Sequence, residues 1–307
     1  MGIFHCPLGC AYYEDEPCID CRLCLATNQE ESVLASRRIR DYLRAHAEAR
    51  KGPSRKIAVC GKGGTGKTTA VALMAGAFRE LGYSVLVIDL DESNPGLRRM
   101  LGFGREPKPL MAVMGRLPRE EKIKEGWFTR EELGIRDIPP EYLDGEDRVK
   151  FLMAGKIADP FQGCACSMAD LARGFVQKLV LEEKEILLID TEAGVESFGR
   201  GVERVADTVV IMAEPSAESL ALAEKISYLA DGIGVKKVRG IPNKIPSEKI
   251  GQRITAEMAK RNIKVLGVLF VDDRISEASL EGLAPSPRSN ARMAMKGIVQ
   301  SLLDESE

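Results

Sequence analysis

The chain has 307 residues, 44 basic against 46 acidic side chains, and a sequence pI near 6.0. That length suits one large α/β domain with an appendage and a well-buried core. Near-balanced charge does not advertise a nucleic-acid surface, and no apolar run approaches the ~20 residues of a membrane span.

The first 27 residues carry Cys6-x3-Cys10-x7-Cys18-x2-Cys21-x2-Cys24. Together with the acidic Glu14-Asp15-Glu16, this start does not read as a signal peptide, so a cytoplasmic protein is expected. In that reducing setting the 8 cysteines read as metal ligands or redox groups rather than disulfides. A Cys-x2-Cys-x2-Cys run is the three-ligand signature of a ferredoxin-like [4Fe-4S] site, with Cys6 or Cys10 as fourth ligand. The usual closing Cys-Pro is absent. Zinc is the rival, since any four of these thiolates, or His5 with three, make a structural site. A labile nickel-handling segment is a third reading. With so little apolar periodicity, residues 1–27 need a metal to organise them.

Residues 28–54 read as a helix and linker. Thr27-x-x-Glu30 is a capping box, and the helix runs to about Arg50 with Arg37, Arg38, Arg40 and Arg44 on a solvated face. Lys51-Gly52-Pro53-Ser54 ends it.

An apolar run at 56–60 leads into Gly61-Lys62-Gly63-Gly64-Thr65-Gly66-Lys67-Thr68-Thr69, and a helical pattern follows over 67–81. Strand, glycine loop and helix in that order make a phosphate-binding loop. The glycines let successive N–H groups turn inward onto a polyphosphate, and the helix dipole adds positive potential. Lys67 is expected to reach the β- and γ-phosphates of ATP and the Thr68 hydroxyl to ligate Mg2+.

Ser84–Asp89, Glu185–Asp190, Thr208–Ala213 and 265–270 are continuous apolar runs, as in parallel strands covered on both faces. Helical patterns lie at 169–183, 217–231, 248–261 and 289–303, the last read as a closing helix docked on the sheet. The alternation predicts a doubly wound, mostly parallel sheet with helices on both faces and the nucleotide at the carboxyl ends of the strands. The ATPase domain then covers 55–307, with a proline-broken insertion at about 103–150 that holds Trp127.

Two segments exit strands with carboxylates. In Asp89-Leu90-Asp91 the second acid lies where a γ-phosphate would sit. With His5 and His46 both remote in sequence, Asp91 is the candidate to orient the attacking water. Asp190 ends a strand as a Walker B acid would, supporting Mg2+, and Gly194 permits close approach of backbone to the γ-phosphate.

The nonapeptide, with its extra lysine, resembles the deviant Walker A loop of the MinD, ParA and nitrogenase-iron-protein ATPases. The resemblance implies an ATP-dependent homodimer in which Lys62 reaches the phosphates held by the other copy. Asn243-Lys244 matches the place where those relatives read adenine with an asparagine carboxamide. The stretch 190–201 and the pair Cys164-x-Cys166 narrow the resemblance, over roughly 55–305, to the CooC branch. Such ATPases serve nickel insertion into carbon monoxide dehydrogenase, with relatives serving acetyl-CoA synthase. Leu90 departs from the small residue common between the two aspartates, and residues 1–54 lie outside that family core.

Gly155, Pro160 and Gly163 argue for extended or loop backbone at Cys164 and Cys166, which puts both thiols on one face. Two thiolates supply half of a tetrahedral zinc shell or much of a square-planar nickel one. A two-fold dimer would complete the site with the same pair from a second copy. In CooC-like proteins that pair binds nickel or zinc at the dimer interface. Cys60, ending a strand, reads as core. Three other functions remain open: an iron–sulfur electron-transfer ATPase, an Mrp-like cluster scaffold, and a partitioning or positioning ATPase.

Overall fold

A computed structural model describes residues 55–91, 96–114, 126–155, 165–195, 203–235 and 237–305. The N-terminal cysteines, the helix expected over 28–50 and Cys164 lie outside them.

The strands are β1 (Lys56–Gly61), β2 (Ser84–Asp89), β3 (Val149–Met153), β4 (Glu185–Asp190), β5 (Thr208–Ala213), β6 (Lys237–Pro242) and β7 (Lys264–Val265). The helices are α1 (Lys67–Glu80), α2 (Gly96–Met100), α3 (Ala165–Lys178), α4 (Ala217–Gly232), α5 (Glu248–Lys260), α6 (Asp273–Glu281) and α7 (Asn290–Asp304). The strands form one 7-stranded sheet in the order β3-β2-β4-β1-β5-β6-β7, with every pairing parallel. This is the doubly wound α/β architecture that the alternating pattern predicts.

The continuous apolar runs serve two cores at once. Ile57, Val59, Val85, Val87, Ile186, Leu188, Val210 and Met212 face one side, packed with α1 and α7. Ala58, Cys60, Leu86, Ile88, Leu187, Ile189, Val209 and Ile211 face the other, packed with α3, α4 and α5. Strand side chains alternate between faces, so a strand covered on both sides has no polar positions to spare. Each fully buried aliphatic side chain contributes about 1.5–3 kcal/mol of transfer free energy. α1 is buried over most of its length, from Ala70 to Phe78, packed on the sheet and against α7. Cys60 sits 1% exposed in the core, as its position predicts.

Serines set several helix starts. Ser216, Ser247 and Ser289 accept from the backbone N–H groups of Ser219, Ile250 and Arg292, opening α4, α5 and α7. α7 buries Ala291, Met295, Ile298, Val299 and Leu302, so it is a closing helix docked on the sheet. Arg292 ties it to α1 through Glu80 at 2.6 Å.

Three expectations are corrected. The run at 265–270 pairs with β6 as a strand only over Lys264–Val265. Beyond it, Gly267 lies against Ile298, where a Cβ would come within 2.6 Å of the isoleucine Cγ1. The ladder gives way there to single bonds such as Leu269 N–H to the Pro242 carbonyl at 2.8 Å. Second, β3 was not among the expected strands, because the charged Arg148 and Lys150 interrupt its apolar pattern. As an edge strand it pairs within the sheet with β2 alone, its outer side meeting Asp144 in a single antiparallel bridge at Phe151, so polar residues are tolerated. Third, the helix expected at 169–183 begins at Ala165 and ends at Lys178. Cys166 therefore has helical backbone in the first turn of α3, not the extended backbone that Gly155, Pro160 and Gly163 suggest. The Ala165-to-Lys178 sequence has strong helical amphipathicity, and burial of Ala172, Phe175 and Val176 outweighs the upstream breakers.

Candidate nucleotide site

β1 ends at the centre of the sheet, between β4 and β5, and its carboxyl end opens into the glycine loop. Gly61 has φ +148°, and a Cβ on it would fall 2.4 Å from the Met212 carbonyl oxygen on β5, so only glycine fits this exit. Gly66 caps α1 in left-handed geometry, φ +87°, with no side chain bonded to the helix N-terminus and no acid in the first turn. The helix therefore starts with uncapped N–H groups and a positive dipole end, which is the arrangement that favours phosphate.

The loop is rigid from within. Thr65, fully buried, donates its hydroxyl to the Lys62 carbonyl at 2.8 Å, and its own N–H reaches the same oxygen at 3.3 Å. Lys67 is only 7% exposed, with Nζ 3.4 Å from that carbonyl. From across the sheet, Asn243 donates to the Thr65 carbonyl at 2.7 Å and Lys244 to the Gly64 carbonyl at 2.6 Å. Asn243 itself is held by its N–H to the Ala213 carbonyl at 2.7 Å.

Asp190 ends β4 in register with Val59 of β1 and Asp89 of β2. It is 1% exposed, and neither carboxylate oxygen finds a hydrogen-bond partner of ordinary geometry. Burial pushes its pKa up to about 7; the Thr68 hydroxyl and the Lys67 ammonium pull it down in part, and Asp91 pushes it higher. A buried carboxylate left without partners beside a threonine hydroxyl fits Mg2+. That ion takes one or two carboxylates plus phosphate and water rather than a full protein cage. Among the described residues, no group of three or more His, Cys, Asp or Glu side chains is placed to hold a metal. Asp91 lies close by, its N–H on the Asp89 carboxylate at 3.0 Å.

The segment after β4 folds back on the loop. Thr191 donates its hydroxyl to the Val59 carbonyl at 2.8 Å, and Gly194, at φ +93°, donates its N–H to the Gly61 carbonyl at 3.1 Å. Thus 61–69, Asp91, Asp190, Gly194, Asn243 and Lys244 converge on the carboxyl ends of β1, β2, β4 and β6. Cys60, whose side chain is buried in the core, does not join this group.

One participant escapes sequence reasoning. Glu214, just past β5, places Oε1 3.3 Å from Lys62 Nζ. Only its place at the exit of an apolar strand could have pointed to it.

The nucleotide-binding domain model described as CbiA, covering CobQ, CobB, MinD and ParA, matches residues 56–285. The chain belongs to this family. Its ATP-binding P-loop fold is therefore that of the CobQ/CobB/MinD/ParA family, and relatives agree. An ATP-binding protein of Methanocaldococcus jannaschii is 38% identical over 74% of this chain and 92% of its own length. The carbon monoxide dehydrogenase accessory protein CooC of Rhodospirillum rubrum is 32% identical over 80% of this chain and 96% of its own. In fold, the cell-division ATPase MinD of Pyrococcus furiosus superposes with a TM-score of 0.62 at 20% identity, over 82% of this chain and 99% of that one. No described helix is long and apolar enough to cross a membrane.

Proposed function

We propose that the protein is a dimeric, ATP-hydrolysing metallochaperone that helps load nickel into carbon monoxide dehydrogenase or acetyl-CoA synthase. The observation that carries this reading is the 32% identity to CooC along 96% of that accessory protein. The Cys164-x-Cys166 pair and the second loop lysine, Lys62, support it.

In this reading the loop N–H groups and Lys67 hold the β- and γ-phosphates, and Thr68 and Asp190 hold Mg2+. The cation, when bound, offsets the charge that builds on the phosphate oxygens. Asp91 orients water for in-line attack, Gly194 senses the γ-phosphate, and Asn243 with Lys244 fixes the base end. Lys62 of each copy serves the nucleotide of the other, so closure and hydrolysis are coupled. Nickel or zinc is cargo, held by Cys164 and Cys166 from both copies. The helical start at Cys166 means that the two thiols need not share a face; closure of the dimer, rather than a preformed strand, would bring four sulfurs together. Residues 1–27 form a separate iron–sulfur or zinc segment in this proposal, 28–54 a helix and linker, and 55–307 the ATPase.

The test is nickel titration of the full chain with and without a non-hydrolysable ATP analogue, monitored by charge-transfer absorbance and elemental analysis. Cys164→Ala/Cys166→Ala should remove one nickel per dimer that appears only with nucleotide. If stoichiometry is unchanged, the cargo site is elsewhere. Elemental analysis of anaerobically purified protein separates iron from zinc at the N-terminal cysteines.

A second reading, a positioning or partitioning ATPase, is favoured by the MinD-like fold and by 24% identity to the septum site-determining protein MinD of Bacillus subtilis. ATP-gated co-sedimentation with vesicles or DNA, with no nickel binding, would select it.

A further inference from the structure

Lys62 is already engaged within the single chain. Its ammonium pairs with Glu214 at 3.3 Å, the lysine side chain being 41% exposed and the glutamate 26%. Both residues hang from fixed backbone. The Lys62 carbonyl accepts from the Thr65 N–H, the Thr65 hydroxyl and Lys67 Nζ. The Glu214 N–H donates to Ser219 Oγ at 3.1 Å, and Ser219 is in turn 2% exposed in the first turn of α4. Gly61 and Met212, one residue before Lys62 and two before Glu214, are register partners across β1 and β5. The sheet itself thus sets the two side chains opposite each other.

The pair buries no polar group, and a half-exposed ion pair holds its partners weakly. A pair of this kind can be exchanged at low cost for a stronger anion, and a triphosphate carries more charge than one carboxylate. Because the Lys62 carbonyl is held three ways, the exchange requires only side-chain rotation, not remodelling of the loop.

We infer that Glu214 is a positioning residue that parks Lys62 in cis and yields it when a second copy presents a nucleoside triphosphate. This rests on the trans role of Lys62 proposed above. The glutamate sets a threshold: a lone chain keeps its second lysine neutralised, and nucleotide-driven association must first displace that carboxylate.

Two measurements on the full chain separate the inference from the reading beneath it. The first uses nucleotide-free protein and a limiting amine-acylating reagent, with Lys62 modification followed by peptide mass spectrometry. Glu214→Gln should raise the rate at Lys62 about two- to fivefold, the range expected for a surface pair. Glu214→Asp, which keeps the charge and shortens the reach, should fall between, and it serves alone if the glutamine variant does not fold. The second is sedimentation velocity with Mg2+ and a non-hydrolysable ATP analogue, where Glu214→Gln should tighten self-association by about the same factor. Equal Lys62 modification in wild type and both variants overturns the parking role. Equal self-association in wild type and Glu214→Gln overturns the threshold. Lys62→Gln that still associates like wild type overturns the trans reading, an outcome the labelling measurement does not share.

Discussion

Asn243, at the exit of β6, donates its carboxamide to the Thr65 carbonyl at 2.7 Å, joining two loops 178 residues apart in sequence. The same carboxamide nitrogen would lie 2.5 Å from a Cβ on Gly66. The loop after β6 and the glycine loop are thus one packed unit, and the bond that joins them is part-buried.

Asn243→Ala removes that bond, a loss of about 1 kcal/mol in loop order, so ATP affinity should fall about fivefold by calorimetric titration. Gly66→Ala should do more, since it strains the α1 cap at φ +87° and also displaces Asn243. Unchanged affinity in Asn243→Ala would refute the coupling.

The two glycines at the start of the loop should separate on substitution. Gly61→Ala drives a Cβ to 2.4 Å from a backbone oxygen that cannot move aside. We expect a loss of about 2–4 kcal/mol, or about 5–10 °C in Tm. Gly64→Ala meets no atom within 4 Å, and only its φ of +82° is costly. Thermal melts should show it milder, at about 1–2 kcal/mol.

Asp190 makes stability pH-dependent in metal- and nucleotide-free protein. Its ordinary pKa of 3.8 is raised to about 7 in the fold, chiefly by burial. Below the lower value the carboxyl is neutral in both states and costs nothing. As pH rises through the window, the unfolded chain releases its proton while the folded chain retains it, so stability falls by up to about 4 kcal/mol by pH 8. Urea titrations at pH 5 and pH 8 in chelator should show about 3 kcal/mol of that decline, the part that falls above pH 5, and Asp190→Asn should flatten it. Mg2+ with ADP should restore stability to the wild type at pH 8 but not to Asp190→Asn.

The lone tryptophan reports on the stretch between β2 and β3. Trp127 and Phe128 pack with Phe175 of α3 at centroid distances of 6.4 and 6.2 Å, and Tyr142 closes on Trp127 at 5.2 Å. Phe175→Ala should cost about 3–5 kcal/mol and shift Trp127 emission to the red. An unshifted spectrum would show that the aromatic cluster does not depend on α3.

Much of this fold is legible in the sequence alone. The runs at Ser84–Asp89, Glu185–Asp190 and Thr208–Ala213 coincide with β2, β4 and β5 because a strand buried on both faces has an apolar interior, with polar residues only at its ends. Elements with one open side were harder to read. β3 carries Lys150 and lies at the sheet edge, and α6 buries no residue at all, so neither leaves a strong pattern. The stretch between β2 and β3 looks like a charged, proline-broken loop, yet Leu110, Leu133 and Tyr142 are fully buried in the core. Their spacing follows no helical or strand period, because short 3-10 turns place Leu110 and Tyr142 and a single bridge to Leu179 places Leu133.

The glycine loop, its strand and its helix were determined by the chain's own local chemistry. The φ values and hydrogen bonds of residues 61–69 admit few residue types, so their order alone announces a phosphate site. Only the tertiary structure decided which distant groups meet that loop. Asn243, Gly194 and Glu214 arrive because parallel pairing aligns the carboxyl ends of strands widely separated in sequence. It also decided that Cys166 has helical backbone, in the first turn of α3, since burial of one face of that helix outweighs the glycines and proline upstream. Local periodicity encodes each element, whereas the contacts between strand ends depend on sheet order, which no single segment carries.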